Sequence, residues 1–356
     1  MMQDNLARQK GRGMLSEEKL VKKSGFYDPH REKQNLFAER MKGHASPAML
    51  AAIKSCHSQV VKVFSEDESR SKVVSVETCG NRFCPYCQAR KARREADMIA
   101  YVMGHAKNRG LKAIFLTLTI PNVSGTEASS AVDKLNKALK RLLARKAFKR
   151  VVKGAIRKIE MTYNEDTGLF HPHVHLVLFV ARSYFRSKFY LHTEQFADLW
   201  AKSMRLDQVV VHVEAADKAE KELAKYAAKS SIYLSSQKVF DVFYQVLKGR
   251  QLITFSGVCK GAVKDYKADV VATDEVEQEK GIQAMGCNRD SDNDNHSEKV
   301  PFTKITTTIW NPITECYDTE TREMTPFERR QFNSDNSRRF GRYWSKKLKR
   351  KRHKLV

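Results

Sequence analysis

Phe170-His-Pro-His-Val-His-Leu-Val-Leu-Phe-Val180 is the stretch whose reading organises this chain. On a strand, side chains alternate between faces with period two, so the histidines at 171, 173 and 175 all fall on one face. The other face offers Val174, Leu176, Leu178 and Val180 to a core, the alternation of a half-buried strand. Neutral imidazole is the commonest protein metal ligand, and two imidazoles one strand repeat apart can reach a single divalent ion. His173 and His175 are therefore candidate ligands, with His171 beside them.

Working outward, Ala155 to Tyr163 reads as a strand and Asn164-Glu-Asp-Thr-Gly168 as a turn, which makes the histidine strand the second half of an antiparallel hairpin. Glu160 on the first half is a candidate third ligand; pairing with a nearby arginine explains it equally well, and register decides between the two. Ile114 to Ile120 is a further strand, with Leu116 and Leu118 on one side and Thr117 and Thr119 on the other. Helical spacing marks residues 88–107, 130–152 and a segment from Thr193, and the chain reads as α+β. Residues 208–214 and 251–255 are strand-like, and His212 and Tyr233 are taken as structural.

Four of the seven cysteines stand at 56, 79, 84 and 87, which does not resemble a secreted disulfide framework. Cys79, Cys84 and Cys87 fit a zinc knuckle, with Cys56 or His57 as the fourth ligand; a redox dithiol is the competing reading. The basic run after it, Arg90, Lys91, Arg93 and Arg94, suits phosphate contact.

The formal charge of +24 and a pI near 9.7 point to a polyanionic partner, nucleic acid first. Between Lys134 and Lys158 eleven basic residues meet no acidic one, so i,i+4 ion pairs cannot neutralise them, and Lys140 and Arg141 are candidate phosphate contacts. No run approaches the roughly 18 apolar residues of a membrane span, and the N-terminus lacks the apolar core of a signal peptide, so a cytoplasmic protein without a membrane partner is expected. The organisation expected is a basic, loosely ordered arm (1–45), a cysteine-rich element with its helix (46–108), a core (109–265), an acidic linker (266–300) and a basic aromatic tail (301–356).

Asp217 to Lys229 is a helix-forming run that puts Glu222, Tyr226 and Lys229 at i, i+4 and i+7. A phenol, with a free pKa of about 10, needs an electropositive site to attack near neutral pH; Lys229 and a histidine-bound ion would supply one. The chemistry expected is transesterification of a DNA phosphate by Tyr226.

Phe115-Leu-Thr-Leu-Thr119, His171-Pro-His-Val-His-Leu-Val-Leu178 and Glu222-Leu-Ala-Lys-Tyr-Ala-Ala-Lys229 resemble, in order, the three motifs of plasmid rolling-circle replication initiators of the HUH endonuclease superfamily. Cys84-Pro-Tyr-Cys87 and Leu247 to Gly257 resemble the type 1 plasmid Rep branch. The resemblance covers roughly residues 50 to 260. It implies a central antiparallel sheet flanked by helices, Mg²⁺ or Mn²⁺ on His173 and His175, Tyr226 as nucleophile, Lys229 positioning metal or phosphate, and Glu222 as general base for a terminating water. The cysteines would hold structural Zn²⁺. The partner implied is plasmid origin DNA at a single-stranded or hairpin nick site, with host helicase and polymerase as further candidates. Rival readings are an HUH transposase and a non-catalytic, zinc-containing DNA-binding regulator. Relaxases place the tyrosine before the histidines, opposite to the order here.

Overall fold

The histidine stretch forms a strand with a neighbour on each edge. The computed structural model describes residues 28–215, 231–273 and 301–333. In chain order the elements are α1 (Pro29–Arg40), α2 (Pro47–Lys54), β1 (Gln59–Ser65), β2 (Ser71–Val76), α3 (Pro85–Asn108), β3 (Leu111–Thr119), α4 (Ala128–Ala144), α5 (Lys146–Val151) and β4 (Val152–Asn164). They continue with β5 (Leu169–Ala181), α6 (Thr193–Met204), β6 (Val211–Ala215), α7 (Gln237–Leu247), β7 (Ile253–Gly257), α8 (Val258–Thr273), β8 (Phe302–Asn311), β9 (Cys316–Glu323) and α9 (Pro326–Asn333).

Five strands make one sheet in the order β6-β3-β5-β4-β7, each neighbouring pair antiparallel. The chain is thus α+β, with antiparallel sheets flanked by helices, as its sequence indicated. Val174, Leu176, Leu178 and Val180 of β5 join Val132, Leu135 and Leu139 of α4, Trp200 of α6 and Phe243 of α7 in the main core. The expectation of a half-buried strand needs correction, because Val177 and Phe179 lie under Ile99 and Val102 of α3 and Cys259 and Ala262 of α8. Leu176 to Val180 is continuously apolar, the pattern of a strand covered on both faces; only the histidine end of the second face lacks an apolar lid. At the β7–α8 junction Gly257 has φ +57°, and a Cβ there would fall on the Lys153 carbonyl, so β7 can lie against β4 only with glycine at this position. The single helix expected over 130–152 is two, because Arg145 is extended between α4 and α5.

A second sheet has the order β2-β1-β8-β9, also antiparallel. Residues 302–333 are therefore not a tail: β8 pairs along the whole of β1, and Ile305, Met324 and Phe332 pack with Val61 and Val63. Likewise residues 28–45 are not a loose arm. Asp28 caps α1, Phe37 and Met41 are fully buried, and buried Gln34 approaches Cys84 Sγ at 3.1 Å. The buried face of α1 with its C-cap Met41 includes Arg31 and Gln34 as well as Phe37 and Ala38, which hides it from a purely apolar periodicity. α8 carries regular structure through Thr273, into the segment expected as acidic linker. The rest of that linker, and residues 334–356 of the basic tail, lie outside the described residues.

Arg31 joins these parts. Its guanidinium donates to the carbonyls of Cys56 (3.3 Å) and His57 (3.2 Å) and to the Tyr317 hydroxyl (2.6 Å), and lies 4.5 Å from the Trp310 ring centroid. Among the described residues no helix is long and apolar enough to cross a membrane.

Two predictions follow from this packing. Phe37→Ala is expected to cost about 3–5 kcal/mol, the range for an emptied aromatic site, in urea unfolding; a loss below about 1 kcal/mol would show that α1 is not part of the core. At the start of α9, Arg322 donates twice to Glu328, at 2.8 Å each, and the Thr325 amide donates once, at 2.9 Å. Burial alone would raise this carboxyl, but those donors hold it down to about 2, against 4.5 for the free group. Its stabilisation is complete above pH 4.5 and lost as pH falls toward 2, at most roughly 3 kcal/mol. The stability gap between wild type and Glu328→Gln should therefore close over that window.

Candidate metal centre

The β4–β5 register sets Glu160 opposite His173 and Lys158 opposite His175, and the β3–β5 register sets Thr119 and Thr117 against the same two histidines. Glu160 Oε2 lies 3.7 Å from His173 Nε2 and 3.5 Å from His175 Nε2. These distances exceed a hydrogen bond but approach the spacing of about 3.0–3.4 Å expected for donors each about 2.1 Å from one shared ion. The three donor atoms lie within 4.8 Å of one another. His173 Nδ1 is 3.1 Å from the His171 carbonyl, which can only accept, so Nδ1 carries a proton and Nε2 is the ring atom turned toward Glu160. His175 Nδ1 meets Thr117 Oγ1 at 3.3 Å, and its ring stacks on Phe115. Contacts of this kind fix the orientation of ligating imidazoles.

Burial alone would raise the Glu160 carboxyl, yet the facing imidazoles and the Lys158 ammonium, 3.1 Å from Oε1, hold it well below the usual carboxylate range. Burial pushes His175 down, outweighing the pull of Glu160. A carboxylate and neutral imidazole are the ligand forms of these groups, and two nitrogens with one oxygen suit a divalent ion such as Mn²⁺. The arginine-pairing alternative for Glu160 is not what the structure shows. His171 is close but does not converge: its ring stacks on His173, and Nδ1 meets Asn122 Oδ1 at 2.8 Å. His212 lies on the same sheet face, opposite Thr117, exposed and 2.7 Å from Glu214. Glu222, Tyr226 and Lys229 fall outside the described residues. Tyr233 is buried and donates to the Phe83 carbonyl at 2.9 Å, a structural role.

The cysteines converge too. Sγ–Sγ distances are 3.5 Å for Cys84–Cys56, 3.6 Å for Cys56–Cys87 and 3.7 Å for Cys79–Cys87. The edge of a tetrahedron of sulfurs each about 2.3 Å from zinc is about 3.8 Å, so four thiolates fit that ion better than a two-sulfur redox pair. Cys56 supplies the fourth position, and His57 does not: its ring stacks on Tyr86 and contacts Tyr317. Cys84 is the N-cap of α3; the helix end favours negative charge there, while the crowded sulfurs of Cys56, Cys79 and Cys87 and burial push its thiol up, an opposition that a cation shared by the four would relieve.

Of the basic residues, Arg90, Lys91 and Arg94 line one cleft beside the cysteines, and Arg93 is exposed outside its lining. No local pattern marks Arg82, Tyr244 and Lys248 as sharing that cleft, because only folding brings them to α3. Arg141 needs correction: it donates from Nε (2.8 Å) and Nη2 (2.6 Å) to the Ser203 carbonyl, closing the end of α6. Arg145 bonds the Ser203 hydroxyl and Arg157 bonds Asn136 and the Gln251 carbonyl, so much of the basic run is spent on internal contacts. Lys140 is exposed on α4, whose apolar side packs on the sheet face opposite the histidines.

A family model described as "Replication protein" matches residues 70–303. A "Protein rep" of Staphylococcus aureus is 32% identical over 215 residues, 58% of this chain and 94% of the relative. A "Protein rep" of Lentilactobacillus hilgardii is 30% identical over 239 residues, 62% and 76% of the two chains. One from Bacillus amyloliquefaciens is 29% identical over 229 residues, 56% and 67%. No solved structure matches the chain. The matched range holds Cys79, Cys84, Cys87 and the histidine strand; Cys56 and β9 lie outside it.

Removal of a ligand should cost at least the roughly 10–100-fold seen for outer contacts. Glu160→Ala is thus expected to weaken Mn²⁺ binding tenfold or more by calorimetry, and His175→Ala to abolish it; unchanged affinity in both would remove this centre.

Proposed function

The chain belongs to the replication-protein family, and we propose that it initiates plasmid rolling-circle replication as an HUH-type nicking enzyme, cutting one strand of origin DNA and remaining joined to its 5′ end. The observation that carries the reading is the convergence of Glu160, His173 and His175 on one face of neighbouring strands. The histidine-bound ion, Mg²⁺ or Mn²⁺, would supply Lewis-acid polarisation of the scissile phosphate.

Tyr226 is the proposed nucleophile. Its phenolic oxygen forms a bond to phosphorus as the bond to the 3′ oxygen breaks; the phenolic proton is lost and the leaving 3′ oxygen ends as a hydroxyl. Ala215, at the end of β6, lies level with Leu178 through Ile114. From strand geometry it is about 16 Å from the histidine pair, and the eleven residues to Tyr226 can bridge that distance even at about 1.5 Å per residue. Lys229, three residues further along the chain, would hold the phosphate or metal side of the site. Glu222, four residues earlier in the chain, would take a proton from water, whose oxygen displaces Tyr226 from phosphorus and ends the cycle. The four-cysteine cluster would hold structural Zn²⁺ and fix the start of α3.

The test is incubation with Mn²⁺ and a single-stranded origin oligonucleotide, followed by a denaturing gel. Wild type should give a shifted covalent band that Tyr226→Phe abolishes while origin binding persists, and Glu222→Ala should accumulate the band. A band undiminished in Tyr226→Phe moves the nucleophile elsewhere; no band in wild type leaves a DNA-binding regulator.

A further inference from the structure

Beside the cysteine cluster lies an open cleft of about 430 Å³, enclosed by α2, the loop through Gly80 and Phe83, the first turns of α3, and the turn after α7. Cys87, Arg90, Lys91 and Arg94 enter it from one stripe of α3, at helical spacings of three, four and seven. Lys248 also lines it, and among the described residues no aspartate or glutamate does.

The cations are not equivalent. Lys91 lies 3.6 Å from Glu95, and Arg82 is committed to the carbonyls of Leu247 (2.6 Å) and Arg250 (2.8 Å), which fixes the wall. Arg90 is half-buried between the cysteine cluster and Arg94; burial and then the neighbouring guanidinium push it down, against the pull of the Cys87 and Cys56 sulfurs. Among the described residues no carboxylate pairs with Arg94 or Lys248, and Lys248 rests 4.8 Å from the Tyr244 ring centroid. Five cationic side chains, Arg82, Arg90, Lys91, Arg94 and Lys248, line this hollow, more than the thiolate charge at Cys87 balances, and an anion entering it relieves the excess. The volume is within the range of about 300–1,000 Å³ typical of small-molecule sites, room for one nucleotide but not for a duplex. Met49 and Tyr244 give the cleft apolar surface for a base or sugar.

We propose that this cleft holds one nucleotide of single-stranded DNA, with its phosphate between Arg94 and Lys248 and Arg90 behind them. The proposal rests on the reading of the chain as a DNA-nicking protein, and it adds a holding site apart from the histidine centre. A strand gripped here keeps a fixed path when the nick is made.

The test is fluorescence anisotropy of the full chain with a labelled single-stranded oligonucleotide across a salt series. No divalent ion is added, so a failure of nicking leaves the result untouched. Removing one phosphate contact from a single strand lowers the slope of log affinity against log salt by about 0.7. Arg94→Ala/Lys248→Ala should lose about that much slope and weaken binding roughly tenfold or more at about 0.1 M salt, where wild type keeps both. Arg94→Lys should keep the slope, and Lys202→Ala, which removes an exposed charge from α6, should match wild type. An unchanged slope in the double variant, a slope lost equally in Lys202→Ala, or an equal loss for duplex DNA would each overturn the assignment.

Discussion

The register between β4 and β5 is the constraint on which the site depends. Glu160 meets His173 only because Asn164 pairs with Leu169 at the mouth of the hairpin and the pairing runs without a slip back through Lys158 and His175. A shift of one residue would send the carboxylate to the opposite face, among the core side chains of α4 and α7. The hairpin turn ends at Gly168, whose φ of +66° closes the chain, and both faces of β5 are packed, so a slipped register would expose apolar side chains throughout. The ligand geometry is thus held by the same burial that holds the fold.

A second constraint ties the cysteine cluster to both ends of the described chain. Arg31 holds the carbonyls of Cys56 and His57 while its guanidinium lies against Tyr86, Trp310 and Tyr317. One planar cation therefore links α1, the cysteine loop, α3 and the β8–β9 hairpin. Lysine could not replace it, because the contact needs a planar fork that bonds at its edge and stacks on its faces. Through Phe83, Cys84 and Tyr86 the cluster also belongs to the apolar core that supports the histidine sheet.

The charge of this protein is distributed by use. Arg141, Arg145 and Arg157 close internal carbonyl and hydroxyl groups, and Arg82 frames a wall, while the stripe of Arg90, Lys91 and Arg94 opens into a hollow. Long-range attraction for a polyanion comes from the sum of all these charges, but only those whose donors are unspent can make short contacts with phosphate. A basic run read from sequence therefore overstates the contact surface and understates how much of it is structural.

What the sequence determined by itself was local. Period-two histidines before an apolar run, a turn ending in glycine, and cysteines spaced for a knuckle each express the geometry of a few consecutive residues. The three ordered motifs placed the chain in its family for the same reason. Tertiary structure alone decided that Glu160 rather than His171 joins the histidine pair, that Cys56 rather than His57 completes the thiolate set, and that Arg141 caps a helix. It also decided that β8 would pair with β1, and that Lys248 and Arg94 would line one cleft. These choices depend on register and on contacts between residues far apart in the chain, which are selected by the total burial of the folded state and leave no periodic mark on the segments that make them.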